Sequence, residues 1–374
     1  MTTLLLAGGG TGGHVFPMLA VGEAVRAADP SARVVYVGTA RGLEARVVPE
    51  QGGELELLDI LPLRGGGLSG FLKGAQHAAA SIPAARDLVR RIGPSAVLSV
   101  GGYAGGPVCF AARTLGVAVT VLEPNSVMGL SNRLLAPFAV RAYTTFPEVD
   151  RYFRPSIVRR LGVPLRKAFA PAPYEVQKDQ LSILVLGGSQ GAKALNETVP
   201  RAISQVVNHV SGLRVVHQTG REREAEARAL YESLGLSGAA EVVPFIDDMA
   251  RALASADLVI ARAGASTLAE LCAVGRPAIL VPYPFAADDH QLKNARSLEK
   301  RGAAVALPQA EATADRVAEE IRKLAGSPEG RASMARAASE IGAPDAAKAV
   351  AADLLELARL RESKHREKTR GKTA

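Results

Sequence analysis

The sequence predicts an α/β protein made of two doubly wound parallel-sheet domains, and three observations carry that prediction. Short apolar runs alternate with longer helix-patterned stretches along nearly the whole chain of 374 residues, which is the signature of βαβ units. The alternation breaks once, between 146 and 173, where Pro and Arg accumulate and helical periodicity is weak. On either side of that break the pattern opens in the same way, with a strand, a glycine turn and a helix.

In the first half the strand-like runs are 3–7, 33–37, 55–60, 96–99 and 118–122, with helices expected over 15–28, 71–91 and 107–115. Length separates the two classes: a run of a few apolar residues bounded by turn residues suits a buried strand, whereas the longer stretches repeat apolar residues every three to four positions. Inside the break, 157–161 fits a last strand and Gly162-Val163-Pro164 a turn, so the hinge is expected at 164–173. The second half resumes with strands at 181–186, 213–217, 241–243, 257–261, 278–281 and 303–307 and helices at 192–207, 222–234, 266–274, 291–300 and 313–325. A final amphipathic helix over 345–360 is expected to cross back onto the first domain. The domains are therefore expected at 1–166 with that helix, and at 167–344, followed by a basic, disordered tail at 361–374.

Composition narrows the class. Hydrophobic residues make up 48% and charged residues 22% of the chain, a globular balance. Trp is absent and aromatics are only 4%, so the core must be aliphatic. Cys109 and Cys272 lie far apart in apolar surroundings and read as small core residues. Four-ligand metal spacing is missing, so no metal is expected. The start lacks the basic residues of a signal peptide, and no apolar run approaches the ~18 residues of a membrane span; a soluble, cytoplasmic chain is expected. Net charge is +8, and the segment from Arg359 to Lys372 sets seven basic residues against two acidic ones. Such a tail suits anionic lipid or plain solvation. Nucleic acid is disfavoured as a partner, because the tail lacks the interleaved aromatics that stack bases.

The glycine turns carry the first chemical signal. The first reads Gly8-Gly9-Gly10-Thr11-Gly12-Gly13-His14 and the second Gly187-Gly188-Ser189-Gln190-Gly191. Glycines let backbone N–H groups approach a ligand, and the helix that follows favours negative charge at its start. Gly8-x-Gly10-x-x-Gly13 has the dinucleotide spacing, but the next strand ends Val37-Gly38-Thr39-Ala40 without the acid that holds a ribose. A nicotinamide cofactor is therefore disfavoured, and the missing Gly-Lys-Ser/Thr disfavours NTP hydrolysis. His14 is expected in the first turn of a helix, either as a general base or as a structural donor. Ser266 and Thr267 can cap a helix after Gly264. Glu270, one turn on, either binds a ribose diol or closes a Thr267-x-x-Glu270 capping box. Asp288-Asp289-His290-Gln291 suits sugar hydroxyls or a helix cap equally.

Taken together and in order, these blocks resemble the MurG family. The blocks are 8–17 from Gly8 to Pro17, Gly101-Gly102-Tyr103-Ala104-Gly105-Gly106-Pro107, Glu123-Pro124-Asn125, 187–192, Phe245-Ile246-Asp247-Asp248-Met249, Arg262-Ala263-Gly264-Ala265, Thr267-x-x-Glu270 and His290-Gln291-x-x-Asn294-Ala295. The resemblance implies a GT-B architecture, two Rossmann-like domains facing a central cleft. It implies an inverting transferase that moves N-acetylglucosamine from UDP-N-acetylglucosamine to the 4-hydroxyl of the N-acetylmuramyl group of undecaprenyl-linked lipid I, giving lipid II for peptidoglycan, cell-wall growth, cell shape and division. By position, Ile246 would meet uracil through its backbone and Glu270 the ribose. Ser189, Ala265, Ser266 and Thr267 would hold the pyrophosphate, with Arg166 and Arg262 near the nucleotide. His290 and Gln291 would read the sugar, and Thr11, Gly12 and Gly13 would touch the donor. Gly10, His14, Tyr103 and Asn125 would line the acceptor, with His14 the candidate base; no cofactor or metal is implied. The family's Glu-Gln-Asn reads Glu123-Pro124-Asn125 here, its Asn-Pro-Val-Arg reads Val163-Pro164-Leu165-Arg166 and its Arg-Ser-Gly reads Arg262-Ala263-Gly264; none of these changes removes a proposed catalytic group.

A lipid acceptor without a spanning segment implies peripheral docking at the cytoplasmic face of the membrane. The stretch 61–73, with Leu61, Leu63, Arg64, Leu68, Phe71, Leu72 and Lys73, mixes apolar and basic residues as an anionic membrane surface requires; ordinary core fits it equally. Other cell-wall synthesis proteins are further expected partners. The competing activities are transfer to another lipid acceptor and a UDP-N-acetylglucosamine 2-epimerase on the same fold.

Overall fold

A computed structural model describes residues 1–60, 80–176, 180–188 and 190–370, with side chains to Ser363. The chain divides into two compact units, Met1–Arg166 with Asp345–Ala374, and Lys167–Pro344.

The first unit runs β1 (Thr3–Ala7), α1 (Gly12–Ala28), β2 (Arg33–Gly38), α2 (Glu44–Glu50), β3 (Glu54–Leu57), α3 (Ile82–Ile92), β4 (Ala96–Ser99), α4 (Gly102–Thr114), β5 (Ala118–Glu123), α5 (Leu130–Leu135), β6 (Arg141–Thr144) and β7 (Val158–Arg160). Its parallel sheet has the order β3-β2-β1-β4-β5-β6-β7. Every residue of β1 is buried, because helices cover both faces of a parallel sheet; that is why the strand reads as a continuous apolar run rather than an alternation. The last helix, α13 (Ala346–Arg370), returns to this unit. Val350, Ala351, Leu354, Leu355 and Ala358 enter the core that holds Val21 and Val25 of α1. Tyr143 of β6 donates its hydroxyl to Asp353 at 2.7 Å, with Arg141 on the same carboxylate at 3.2 Å.

The second unit runs β8 (Leu181–Leu186), α6 (Lys193–Ser204), β9 (Leu213–Gln218), α7 (Glu224–Ser233), β10 (Ala240–Val243), α8 (Met249–Ala254), β11 (Leu258–Ala261), α9 (Ala265–Val274), β12 (Ala278–Leu280), α10 (His290–Lys300), β13 (Ala304–Ala306), α11 (Ala314–Ala325) and α12 (Pro328–Ile341). Its sheet order is β10-β9-β8-β11-β12-β13. In both sheets the order reverses beside the first strand, between β1 and β4 and between β8 and β11. Ligands of open α/β sheets bind outside the strand C-termini at that reversal, which is where the two glycine turns lie. Arg276, 2% exposed, ties the start of this unit down. Its guanidinium donates to the carbonyls of Ala172, Pro173, Leu253, Ala254, Val274 and Gly275.

Several elements differ from expectation. β6 falls where no strand is predicted, because Arg141-Ala-Tyr-Thr lacks an apolar run. α4 starts at Gly102 rather than at 107, so the glycines of 102–106 form its first turns. α13 continues to Arg370, past the expected end at 360. Cys109 and Cys272 are buried free thiols, and burial pushes Cys272 up to about 12. Among the described residues no helix is long and apolar enough to cross a membrane. Residues 61–73, Ser189 and the tail beyond Arg370 lie outside the described residues.

Candidate functional site

In the first unit, the chain leaves β1 through Gly8, Gly9 and Gly10 and enters α1 at Gly12, with Thr11 as an extended N-cap (φ −121°, ψ 158°) that makes no side-chain cap bond. The first N–H groups of a helix have no partner within it, so Gly12 and Gly13 present donors at the positive end of α1. Gly10 has φ +93°, and its N–H is directed to Glu44 Oε2 at 2.9 Å. A second turn, Gly101 and Gly102 (φ +89° and +75°), packs on the first: a Cβ on Gly102 would stand 2.3 Å from the Gly9 carbonyl oxygen. The stacking gathers the predicted residues. His14 Nδ1 stands 3.5 Å from Thr11 Oγ1, and its Nε2 lies 3.2 Å from where Gly101 would carry a Cβ. Tyr103, at the start of α4, approaches the Cβ position of Gly10 to 3.5 Å. Arg166, where the chain leaves this unit for the second, sets its guanidinium over Phe16 of α1 at 5.8 Å.

Asn125 is positioned through Glu123. This buried carboxylate accepts from the Asn125 N–H at 3.1 Å, the Gly129 N–H at 3.0 Å and Asn132 Nδ2 at 3.0 Å. Burial raises its pKa above the ordinary carboxylate value, against the pull of those donors. Asn132 Oδ1 in turn accepts from Ser99 Oγ at 2.8 Å, and Ser99 Oγ accepts from the Gly101 N–H at 3.3 Å. A chain of hydrogen bonds thus runs from Asn125 to the second glycine turn.

In the second unit, Gly188 and Gly191 have φ +85° and +72°. Gln218, at the end of β9, donates to the Gly188 carbonyl at 2.9 Å and accepts from the Ile246 N–H at 3.0 Å. One amide therefore joins the glycine turn to the expected uracil position. α9 begins at Ala265 with Gly264 as N-cap and no side-chain cap bond. Thr267 is thus the third helical residue, so Thr267-x-x-Glu270 is not a capping box, and Ser266 and Thr267 do not cap. Glu270 is half-buried one turn in. Ser266 Oγ is buried with no hydrogen-bond partner among the described residues.

Gln291 and Asn294, one turn apart on α10, clasp the turn before α9. Gln291 Oε1 accepts from the Ala263 N–H at 3.2 Å and the Tyr283 N–H at 3.0 Å, and Asn294 donates to the Ala263 carbonyl at 3.3 Å. Arg262 braces the same region. It donates to the carbonyls of Val281 and Pro282 and to Gln309 Oε1, and stacks on Tyr283 at 5.6 Å; burial lowers its pKa from the ordinary value. His290 Nδ1 lies 2.8 Å from the Ala287 carbonyl. A carbonyl only accepts, so Nδ1 carries the proton and Nε2 is the acceptor of the neutral ring. Asp288 and Asp289 both take left-handed conformations (φ 54° and 53°), which favour glycine.

Sequence reasoning missed Glu44, Ser99, Asn132 and Gln218, and left Glu123 as part of a motif without a role. The usable signal was a polar side chain at the end of an apolar parallel strand, as with Ser99, Glu123 and Gln218. No group of His, Cys, Asp and Glu among the described residues is placed to hold a metal ion.

Residues 4–144 match the glycosyltransferase family 28 N-terminal domain and residues 182–350 its C-terminal domain. The UDP-N-acetylglucosamine--N-acetylmuramyl-(pentapeptide) pyrophosphoryl-undecaprenol N-acetylglucosamine transferase of Sorangium cellulosum is 66% identical over 96% of this chain and 89% of that protein. The crystal structure of MurG from Acinetobacter baumannii superposes with a TM-score of 0.79 at 32% identity, covering 95% of this chain and 99% of that one. A UDP-GlcNAc 2-epimerase from Neisseria meningitidis bound to UDP-GlcNAc shares the fold at TM-score 0.65 and 13% identity, over 95% of this chain and all of that one (100%).

Proposed function

The chain belongs to glycosyltransferase family 28, and from that membership we propose how its residues move N-acetylglucosamine from UDP-N-acetylglucosamine to lipid I, giving lipid II. The activity rests on one observation, the near full-length identity to the Sorangium cellulosum transferase, which spans both units.

The second unit is the donor half. The Ile246 carbonyl meets the uracil imide, since the Ile246 N–H is held by Gln218. Glu270 accepts from the ribose hydroxyls. The pyrophosphate sits at the start of α9, where the N–H groups of Ala265, Ser266 and Thr267 and the buried Ser266 hydroxyl are donors; Ser189 belongs to the same reading. Gln291 turns its carbonyl to the backbone, so its amide N–H₂ faces the sugar together with His290 Nε2. Arg262 shapes this pocket by bracing the end of β12. Arg166 and Thr11 of the first unit belong to the donor reading, whereas the Gly12 and Gly13 N–H groups, expected to touch the donor, are assigned here to the acceptor pyrophosphate.

That unit is the acceptor half, with Gly10, His14, Tyr103 and Asn125 around the acceptor pyrophosphate and sugar. The acceptor 4-hydroxyl attacks the anomeric carbon, the bond to the UDP oxygen breaks with inversion, and His14 Nε2 takes the hydroxyl proton. The charge released on UDP is met by the α9 N-terminus. Docking is peripheral, at the cytoplasmic face of the membrane. Phe110, Leu134 and Phe138 are exposed on this unit, and Phe138 lines a pocket of about 470 Å³ together with Arg113, Arg154 and Arg361. Apolar side chains beside arginines suit an anionic lipid surface.

Transfer of labelled sugar from UDP-N-acetylglucosamine, with and without a lipid I analogue, tests the activity. Label in the lipid that depends on acceptor is expected. Epimerised UDP-sugar without acceptor, and no labelled lipid with it, would overturn the reading. Flotation with anionic vesicles but not zwitterionic ones is the expected result for docking.

A further inference from the structure

Glu44 is wholly buried at the first residue of α2, and no cation pairs with it among the described residues. A buried carboxylate must be satisfied by donors. Glu44 finds three: the Gly10 N–H on Oε2, and the Thr39 N–H (2.8 Å) and Thr39 hydroxyl (3.2 Å) on Oε1. Around it the chain has given up side chains. A Cβ on Gly9 would stand 2.2 Å from Glu44 Oε1, one on Gly38 2.2 Å from its Cγ, and one on Gly42 2.1 Å from Oε1. Three glycines from three segments therefore leave the room one carboxylate needs. A fourth, Gly10, is turned to φ +93° with its N–H on the carboxylate. The first glycine loop is held on one side by Glu44 and on the other by Gly102, which packs on the Gly9 carbonyl.

We infer that Glu44 is a positioning residue for transfer: it holds the loop between β1 and α1 in the shape that presents the Gly12 and Gly13 N–H groups and His14 to the acceptor pyrophosphate. This rests on the acceptor role proposed for the first unit. Glu44 turns the Gly10 N–H away from any ligand and leaves the Gly12 and Gly13 N–H groups at the open start of α1 to meet an anion. The neutral, isosteric Glu44→Gln variant cannot replace it. Its one carbonyl oxygen serves either Gly10 or Thr39, and its N–H₂ meets the other donor head-on in a site with no room to turn.

The test is steady-state kinetics of wild type and Glu44→Gln with varied lipid I analogue and varied UDP-N-acetylglucosamine, with UDP binding measured by calorimetry. Loss of one hydrogen bond to a charged group predicts a rise of about tenfold or more in acceptor KM, with UDP affinity within about twofold of wild type, since the donor half is untouched. Unchanged acceptor KM in a folded Glu44→Gln protein overturns the inference, as does an equal loss for donor and acceptor. If Glu44→Gln does not fold, Thr39→Val removes only the hydroxyl bond; a two- to threefold rise in acceptor KM is expected, and no rise overturns it. Wild type that transfers no sugar would count against the acceptor reading alone. Glu44 is then judged by hydrogen exchange of residues 8–14 in inorganic pyrophosphate. Protection in wild type that Glu44→Gln loses supports positioning, and the same exchange in both proteins overturns it.

Discussion

Replacing Arg276 by Ala should destabilise the second unit by about 4 kcal/mol, near the range for breaking a buried charged network. The guanidinium serves six backbone carbonyls drawn from the chain entering the unit, the end of α8 and the end of α9. Hydrogen bonds to a charged group contribute roughly 1.5–3 kcal/mol each when partners are left unmade. The six are not additive, because three share one nitrogen and water can enter the polar hole that Ala leaves. A loss near 4 kcal/mol is a large share of the roughly 5–15 kcal/mol that holds a domain folded. Arg276→Lys should lose about half as much, since an ammonium has three donors and no planar fork. The chain has no Trp, so urea unfolding followed by far-UV circular dichroism is the assay. Exchange of the Ala172 N–H, bonded to the Val274 carbonyl at 3.3 Å, reports the entering segment. An Arg276→Ala protein within about 1 kcal/mol of wild type, with that amide still protected, would refute the reasoning.

Gly191→Ala should lose several kcal/mol or fail to fold, because its Cβ would stand 1.7 Å from the Thr219 carbonyl oxygen at φ +72°, whereas Gly188→Ala, at φ +85° in open space, should lose only about 1–2 kcal/mol; melting temperatures of the pair check this. His217 is buried against Tyr231, and burial lowers its pKa to about 3, so the folded ring stays neutral where the unfolded ring takes a proton. Its contribution to stability is fully present above about pH 6.5 and is lost as pH falls toward 3; urea titrations at pH 7 and pH 5 should show a drop that His217→Gln reduces. Gln291→Ala frees the Ala263 and Tyr283 N–H groups it now holds, and should raise donor KM about tenfold with acceptor KM within twofold, measured by the same transfer kinetics.

How much of this was legible in the sequence varied with the kind of force involved. Strands such as Thr3–Ala7 and Leu181–Leu186 match their predicted bounds because burial on both faces writes itself as an apolar run. β6 was missed because, although it lies between β5 and β7, it carries Arg141 and Tyr143, whose polar ends answer Asp353 about two hundred residues away. The start of α4 was missed because glycines oppose helix by propensity, yet here close packing against the first loop requires them. Site residues written as local motifs were visible, whereas Glu44, Asn132 and Gln218 act through partners far away in sequence. The capping-box reading of Glu270 failed for a local reason: Gly264, lacking any side chain to cap with, still sets the helix start three residues before the Thr267 cap that the box requires.

The return of α13 to the first unit has a consequence for the order in which the protein is made. The core that begins with β1 is closed by residues 347–358, and the whole of the second unit is translated in between. At about 5–20 residues per second, α1 must wait roughly fifteen to sixty-five seconds, with Val21 and Val25 uncovered, for its partner helix to leave the ribosome. The second unit, continuous from Lys167 to Pro344, has no such wait. The half that starts first finishes last, and a ribosome that stalls after Pro344 leaves one finished domain attached to one that needs a chaperone.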